Sequence, residues 1–381
     1  MALNVVSSDR LSTNVKTSNL ATGLSSKVGE SKNIVINGAM QVAQRGTSKT
    51  GLTNGGSSYN TLDRFWWGEA GAPSFVTTMA QSSTAPDGFA NSLRLDTTTA
   101  QGSIAAADAQ YIDYRIEGQD LQSLAYGTSS AKSFTLSFYV KGTITGTYAV
   151  WLYSPDTSKA CTHTYTINSA DTWERKTITV AGDTGSAFGN DNGLGLYVRF
   201  IVCAGTNYTS GTASTTWAAA SVTDANRYVG HAVNLAATTS DDWAITGIQL
   251  EEGSTATEFE HKAYGVELTR CQRYLQVYAK VGANPEQIGP GYGYSTSQVE
   301  VQFTFNGAMR AAPSVDIGSG TNYFLFQTSG DNIQVNALTA YQFTERNGLM
   351  YKSGLSSVTQ GRAYRVENNH ASAYLHFNAE L

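Results

Sequence analysis

The chain is poor in cysteine, proline and charge. Among its 381 residues are 3 Cys and 6 Pro, and 14% of the residues are charged, against about 25% in a typical soluble domain. The cysteines, Cys161, Cys203 and Cys271, are widely spaced and odd in number, which argues against a disulfide framework. We therefore expect assembly in a reducing compartment.

Long apolar runs and an excess of basic residues are also missing. No run of about 18 apolar residues is present, as a membrane span would require, and the N-terminal sequence lacks the basic and apolar regions of a secretory signal. The net charge is −5 and the pI is about 5.6, so the chain has no basic footprint for nucleic acid. We expect neither a nucleic-acid partner nor insertion into a membrane.

Sequence motifs of catalysis and metal binding are absent. There is no zinc-protease motif, P-loop, nucleophile elbow or spaced CxxC pair. Cys161 and His163 lie on one face of a predicted strand, but no third metal ligand is identifiable. The acidic pairs 241–242 and 251–252 are adjacent, so their side chains point to opposite faces of a strand, whereas glycoside hydrolysis needs two carboxylates about 5 to 9.5 Å apart. The sequence predicts no catalytic residue, no metal and no cofactor.

The chain is rich instead in glycine, tyrosine and small polar residues. It has 37 Gly and 21 Tyr, a composition typical of many short strands joined by tight turns. Alternation of apolar and polar residues predicts strands over 92–96, 133–142, 148–154, 173–181, 194–203 and 243–250. Because no helical pattern interrupts this series, we expect an antiparallel sandwich.

The apolar pattern changes its period between residues 243 and 278. The strand pattern ends at the turn residues 251–254, and from about residue 263 Leu268, Cys271, Leu275 and Tyr278 recur at helical steps of three and four. A second alternating segment covers 298–305, and the chain alternates again over 373–381. We divide the chain into an N-terminal arm (1–32), a β-domain (33–262), a connecting helix and linker (263–285) and a smaller C-terminal β-module (286–381).

Two motifs at the limits of the β-domain carry a resemblance to a known family. Residues 33–46 read NIVINGAMQVAQRG, and residues 62–65 read LDRF; at the other limit, residues 247–253 read GIQLEEG, 256–260 read ATEFE and 271–274 read CQRY. Together they resemble a jelly-roll domain found repeatedly in bacteriophage tail fibres and related virion appendages. The MRAAP of 309–313 and the AEL of 379–381 resemble the small C-terminal modules of the same appendages.

The resemblance implies an all-β fold and a place in the virion. The expected architecture is an antiparallel jelly-roll β-sandwich, a short connecting helix, a smaller C-terminal β-sandwich and an extended N-terminal arm. We expect the arm to attach to other phage tail proteins, the chain to form a homo-oligomer, with a homotrimer suggested by the family, and assembly to take place in the host cytoplasm.

Aromatic side chains are the remaining candidates for function. Sugars are bound by flat rings together with amide and hydroxyl groups. Tyr139, Trp151, Tyr153 and Tyr197 fall on the non-core faces of their predicted strands, and Tyr292, Tyr294 and Tyr323 are predicted loop aromatics; for each ring the alternative is packing between sheets or subunits. We expect a non-enzymatic tail fibre that binds a host-surface glycan during adsorption. The alternatives are a polysaccharide-degrading tailspike or accessory carbohydrate-binding domain, and a decoration protein that binds nothing on the host.

Overall fold

A computed structural model describes residues 31–220, 224–283 and 285–381. The predicted arm, residues 1–32, lies outside this range except for Ser31 and Lys32. Strand pairing throughout the described sheets is antiparallel, so the predicted all-β fold class is confirmed.

Two sheets make the first sandwich. Sheet 1 has the strand order β1-β4-β5-β13-β7-β10, and sheet 2 has the order β12-β9-β8-β11-β6-β3-β2. The strands are β1 (Ser48–Leu52), β2 (Ser58–Tyr59), β3 (Phe65–Ala70), β4 (Val76–Ser82), β5 (Ser92–Thr99), β6 (Ala109–Glu117), β7 (Phe134–Gly142), β8 (Gly146–Ser154), β9 (Lys159–Ile167), β10 (Glu174–Val180), β11 (Leu194–Ala204), β12 (Ala218–Ala219) and β13 (Asp242–Glu252). The helical segments are the 3₁₀ helices Gly118–Leu124 and Asp224–Asn226 and the α-helices α1 (Thr206–Thr209) and α2 (Tyr264–Gln272).

Two further sheets make the second, smaller sandwich. Sheet 3 has the order β14-β23-β17, and sheet 4 has the order β19-β18-β22-β15-β16-β21-β20. The strands are β14 (Leu275–Ala279), β15 (Glu286–Ser295), β16 (Gln298–Thr304), β17 (Ser314–Ile317), β18 (Phe324–Gln327), β19 (Asn332–Val335), β20 (Thr339–Phe343), β21 (Asn347–Lys352), β22 (Ala363–Asn368) and β23 (Leu375–Asn378).

Alternating apolar side chains fill the core between sheets 1 and 2. Phe138 of β7 meets Phe200 of β11 with ring centroids 5.2 Å apart and planes at 80°, and Trp243 of β13 packs on Phe200 at 6.4 Å. All three side chains are fully buried. The six strands predicted from alternation are present as β5, β7, β8, β10, β11 and β13.

Two predicted elements differ from the structure. Residues 34–37, where the alternation of Ile34 and Ile36 with Val35 and Asn37 predicts a strand, do not form one. The helix predicted to continue through Leu275 and Tyr278 ends at Gln272, because Leu275–Ala279 pairs with Leu375–Asn378 of β23. Leu275 and Ala279 are fully buried, so the core of the second sandwich overrides the helical spacing, and the segment predicted as linker contains that sandwich's first strand.

The two motifs that limit the first sandwich lie against each other. The Asn33 amide donates to the Ile248 carbonyl at 3.1 Å and accepts from the Leu250 N–H at 3.1 Å, as a neighbouring strand would. Asn37 has a φ of 62°, a conformation that an Asn-Gly pair predicts because both residues tolerate positive φ. Gly38 is needed here for another reason, since a Cβ there would lie 2.1 Å from the Ile248 carbonyl oxygen. The paired motifs therefore close the sandwich.

A set of charged side chains and one tyrosine joins the two sandwiches; we call it the junction (Arg45, Arg64, Glu117, Arg273, Tyr274 and Glu380). All of these side chains are buried except that of Arg273, which is 33% exposed. Glu380, next to β23, forms an ion pair with Arg64 and a longer one of 3.5 Å with Arg45. Arg64 is 1% exposed, and its guanidinium lies 3.4 Å from the centre of the Tyr274 ring. Glu117 accepts from Arg273 at 2.7 and 2.8 Å and from the Tyr274 hydroxyl.

Asp63 and Arg64, adjacent in the opening motif, are both buried but bind separate partners. The Asp63 carboxylate accepts from the backbone N–H and the side-chain amide of Gln44 at 2.8 and 2.5 Å. Burial raises the pKa of Asp63 to about 6. Both residues therefore belong to the framework between the sandwiches, and they do not pair with each other.

Candidate functional site

The outer face of sheet 2 carries a row of aromatic side chains. Tyr153 of β8 is opposite Tyr197 of β11 in the strand register, and Trp151 lies two residues before Tyr153 on the same face. The Trp151 and Tyr153 rings are stacked, with centroids 5.0 Å apart and planes at 11°, and Tyr197 continues the stack at 5.9 Å and 21°. Trp151 is 7% exposed, whereas Tyr153 and Tyr197 are half-buried. The stack therefore offers partly uncovered tyrosine rings to solvent.

An open cavity lies beside this stack, and we call it the groove. Its volume is about 350 Å³. The lining residues are Trp151, Tyr153, Ser158, Tyr197, Arg199, Ala220 and Arg227. Such a lining combines aromatic surface with a few polar groups, as is typical of small-molecule sites.

Arg199 is the fixed base of the groove. Its Nε and Nη2 atoms donate to the two oxygens of Asp113 at 2.6 and 2.8 Å, and its Nη1 donates to the Tyr228 hydroxyl at 2.7 Å. The guanidinium also lies 3.5 Å from the centre of the Tyr111 ring. Burial alone would lower the pKa of Arg199, but Asp113 holds it above its ordinary value. Arg199 is therefore a permanent cation whose orientation is set from three sides.

The opposite ends of the groove differ in character. At one end Arg227 lies 5.7 Å from the Trp151 ring and pairs with Asp224 at 2.7 Å. At the other end, just beyond the lining residues, the Arg115 guanidinium lies 5.3 Å from the centre of the Tyr197 ring. Arg227 is 38% exposed, whereas Arg115 is 14% exposed. The Arg227 end is open to solvent, and the Arg115 end is largely covered.

The structure brings together three of the seven aromatic residues singled out in the sequence. Trp151, Tyr153 and Tyr197 form the stack. Tyr139 lies in β7 of the opposite sheet, where its ring packs 5.3 Å from Phe89. Tyr292 and Tyr294 belong to β15 of the second sandwich and are 38% and 56% exposed, and Tyr323 stacks on His370 at 4.8 Å. These four do not line the groove. Face alternation placed Tyr139 on an outer face but did not tell which sheet its strand joins, and the prediction that Tyr292 and Tyr294 lie in a loop was wrong, because the glycine-rich segment around them pairs as β15.

The polar residues of the groove were not predicted from the sequence. Arg199 follows Tyr197 by two positions, so period-two alternation was a usable signal that both share the outer face. Ser158 and Ala220 reach the groove only because Ala220 N–H donates to the Ser158 carbonyl at 2.8 Å, a contact between distant parts of the chain. No local sequence pattern predicts that contact.

The carboxylates near the groove are both paired with arginine. Asp113 is fully buried and bound by Arg199, and Asp224 is bound by Arg227. Among residues 31–220, 224–283 and 285–381, no three His, Cys, Asp or Glu side chains converge as a metal site. The helices within these same ranges are too short or too polar to cross a bilayer.

Comparisons with known proteins give only distant similarities. No family model matches the sequence, and no curated protein matches it. Among solved structures, the chain is similar to the enzymatically active domain of tailspike protein 4 of bacteriophage CBA120, with 13% identity, a TM-score of 0.31 and coverage of 58% of this chain and 21% of that one. It thus spans about a fifth of the tailspike structure.

Two further similar structures are covered over almost their full length. One is a putative sugar binding protein from Bacteroides thetaiotaomicron, with 12% identity, a TM-score of 0.31 and coverage of 58% of this chain and 99% of that one. The other is a family 11 carbohydrate-binding module from Clostridium thermocellum in complex with a β-1,3-1,4-mixed-linked tetrasaccharide, with 11% identity, a TM-score of 0.26 and coverage of 56% and 98%.

Proposed function

We propose that the groove on sheet 2 binds a glycan. The observation that carries this proposal is the offset stack of Trp151, Tyr153 and Tyr197, with half-buried tyrosines beside an open cavity of about 350 Å³. Aromatic rings that serve only the core are covered on both faces, as Phe138 and Phe200 are. Rings held in a fixed stack present flat apolar surface at little entropic cost, which suits the apolar faces of sugar rings.

Polar groups around the stack supply the hydrogen bonds that a sugar requires. Ser158 contributes a hydroxyl at the edge of the groove, and Arg227 contributes a guanidinium at the open end. Arg199 is held by Asp113 and Tyr228, so the base of the groove is set before a ligand arrives. The groove volume lies near the lower limit of about 300 to 1,000 Å³ for ligand sites, which suits a short saccharide.

A glycan array tests this proposal. Purified protein is expected to bind at least one bacterial surface polysaccharide, and Tyr153→Ala or Tyr197→Ala should weaken that binding about two- to tenfold, since an aromatic contact is worth about 0.5 to 1.5 kcal/mol. Tyr264→Ala, which changes a tyrosine of α2 that is 57% exposed and lies outside the groove, is the matched control. A blank array, or equal losses in all three variants, would refute glycan binding at the groove.

We infer in addition that the chain is a structural component of a phage tail, a fibre that attaches through its N-terminal residues and works in the virion. The support is the pair of motifs at residues 33–65 and 247–274, together with their mutual contacts through Asn33 and Asn37. Immunogold labelling of intact particles tests the location, and label on the capsid would favour the decoration alternative.

The same proposal includes a homotrimer without enzymatic activity. The small second sandwich exposes Tyr292, Tyr294 and Tyr341 on one sheet, a surface that contact with sister copies would cover. Light scattering at micromolar concentration should give three times the mass of one chain, and a monomer would rule out the trimer. Host polysaccharide incubated with the protein should keep its chain length on a gel, whereas shortened chains would indicate a tailspike enzyme.

A further inference from the structure

The covered end of the groove is formed by both sandwiches. The Nη1 atom of Arg115 donates to the carbonyl of Leu381, and the Tyr59 hydroxyl donates to the same carbonyl at 3.2 Å. Residues 380 and 381 follow β23 of the second sandwich, whereas Arg115 and Tyr59 belong to sheet 2. We propose that Arg115 and Leu381 form an end wall, so that the second sandwich limits the length of glycan that the groove accepts. This inference rests on the proposed glycan binding.

Further aromatic rings lie on the far side of this wall. Trp66 of β3 is opposite Asp113 of β6, and Tyr59 of β2 is opposite Trp66. Their ring centroids are 5.1 Å apart. Adjacent strands are spaced by about 4.8 Å, so these rings would extend the aromatic row of the groove by two strands. The outer face of sheet 2 therefore carries more aromatic surface than the groove uses.

Arg115 covers these rings, and Leu381 binds Arg115 and the Tyr59 hydroxyl. The Arg115 guanidinium lies 4.1 Å from the centre of the Trp66 ring and 5.7 Å from that of Tyr59. Because the guanidinium also reaches to 5.3 Å from Tyr197, it fills the space between the groove and the further rings. A glycan lying on Tyr153 and Tyr197 therefore meets Arg115 before it reaches Trp66.

The wall is fastened by buried contacts. Glu380 is 3% exposed and is held by Arg64 and Arg45, which are 1% and 8% exposed. Arg310 donates to the carbonyls of Ala379 and Glu380 at 2.6 and 3.0 Å. Leu381 cannot leave Arg115 unless these contacts break as well, so the wall has a fixed position.

A length series of one glycan tests the wall. The probes are di- to hexasaccharides, size-fractionated from the array polysaccharide that the wild-type protein binds most strongly. Wild-type affinity should rise with length until the groove is filled and then stay constant. Glu380→Gln and Arg310→Gln each remove a contact that holds the segment next to Leu381, so that Leu381 no longer fixes the Arg115 guanidinium. In these variants the longest oligosaccharides should bind about two- to tenfold more tightly than in the wild type, the effect of one further aromatic contact. The shortest should bind equally.

Trp66→Ala separates this gain from an indirect effect. It should leave the affinity of the wild-type protein for the shortest probe unchanged and should remove the gain when combined with Glu380→Gln. Arg310→Gln leaves no buried carboxylate or guanidinium of the junction unpaired, so it serves if Glu380→Gln folds poorly. The same length dependence in the wild type and in a folded variant would overturn the wall, as would weaker binding at every length. A blank array would refute the wall and the glycan proposal together.

Discussion

The junction between the sandwiches and the groove on sheet 2 are built from the same residue types but differ in exposure. In the junction, Arg64 lies 3.4 Å over Tyr274 and is 1% exposed, with Glu380 as its ion partner. In the groove, Arg199 lies 3.5 Å over Tyr111 with Asp113 as its ion partner. The aromatic rings next to Arg199, however, include the half-buried Tyr153 and Tyr197.

This difference separates stability from recognition. Where arginine, carboxylate and ring are all covered, the loss of one member leaves an uncompensated charge in the interior, so the cluster holds the protein together. Where the ion pair is covered but the neighbouring rings are not, the pair fixes the geometry and the rings remain available to a ligand. Residue type alone does not distinguish the two clusters.

The largest expected effect is at Glu380. Glu380→Ala leaves Arg64 buried without its carboxylate, so the free energy of unfolding in urea should fall by about 3 to 5 kcal/mol. Glu252→Ala is the control, because the Lys132–Glu252 pair is exposed and such pairs contribute about 0 to 1 kcal/mol. Equal losses in the two variants would mean that the junction does not hold the sandwiches together.

Substitution of one tyrosine in each cluster compares the junction with the groove directly. Tyr274 is 1% exposed, and Tyr274→Ala should lower the free energy of unfolding by about 3 to 5 kcal/mol, as is usual for a buried aromatic side chain. Tyr197→Ala should cost about 1 kcal/mol or less, because its ring is already half exposed. The measurement is chemical denaturation followed by tryptophan fluorescence, and a larger loss for Tyr197→Ala would reverse the roles assigned to the two clusters.

His231, which lies near the groove, makes a contribution to stability that depends on pH. Its Nδ1 accepts from the Ala149 N–H at 3.3 Å, two residues from Trp151, and burial lowers the pKa of His231 to about 4. Because the folded pKa lies below the unfolded value of about 6.5, the stabilisation by the neutral ring is complete above pH 6.5 and is lost as the pH falls toward 4. The loss should be about 3 kcal/mol.

Comparison with His231→Gln isolates this contribution. The difference in unfolding free energy between wild type and variant should shrink as the pH falls from 7 to 4, in urea titrations at fixed ionic strength. A difference that stays constant over this range would show that His231 titrates normally.

The smallest expected effect is at Tyr139. Tyr139 lies on sheet 1, opposite the sheet that carries the groove, and its ring packs against Phe89. Tyr139→Ala should therefore leave the glycan affinity of the groove unchanged in the array assay. A loss as large as that of Tyr153→Ala would place the binding surface on sheet 1 and would remove the contrast between groove and junction.

Alternation in the sequence was enough to predict six of the thirteen described strands of the first sandwich, because strands such as β7 and β11 carry apolar residues on the face toward the core. β6 was not predicted, although Ile112, Tyr114 and Ile116 alternate there with polar residues. The polar face of this strand is buried as well, so that eight of its nine residues are covered. The stacked residues Trp151, Tyr153 and Tyr197 were found because they lie on outer faces. Arg115 and Leu381 were not, since their contact depends on the docking of a second sandwich that local patterns do not describe.

The contact between Asn33 and Glu260 brings the two ends of the first sandwich together. The Asn33 N–H donates to the Glu260 carboxylate at 3.0 Å, so the polypeptide enters and leaves the first sandwich at neighbouring points. A unit with this geometry can be inserted into a longer polypeptide, because the two flanking segments already lie side by side. The paired motifs then hold the two ends of the inserted unit together.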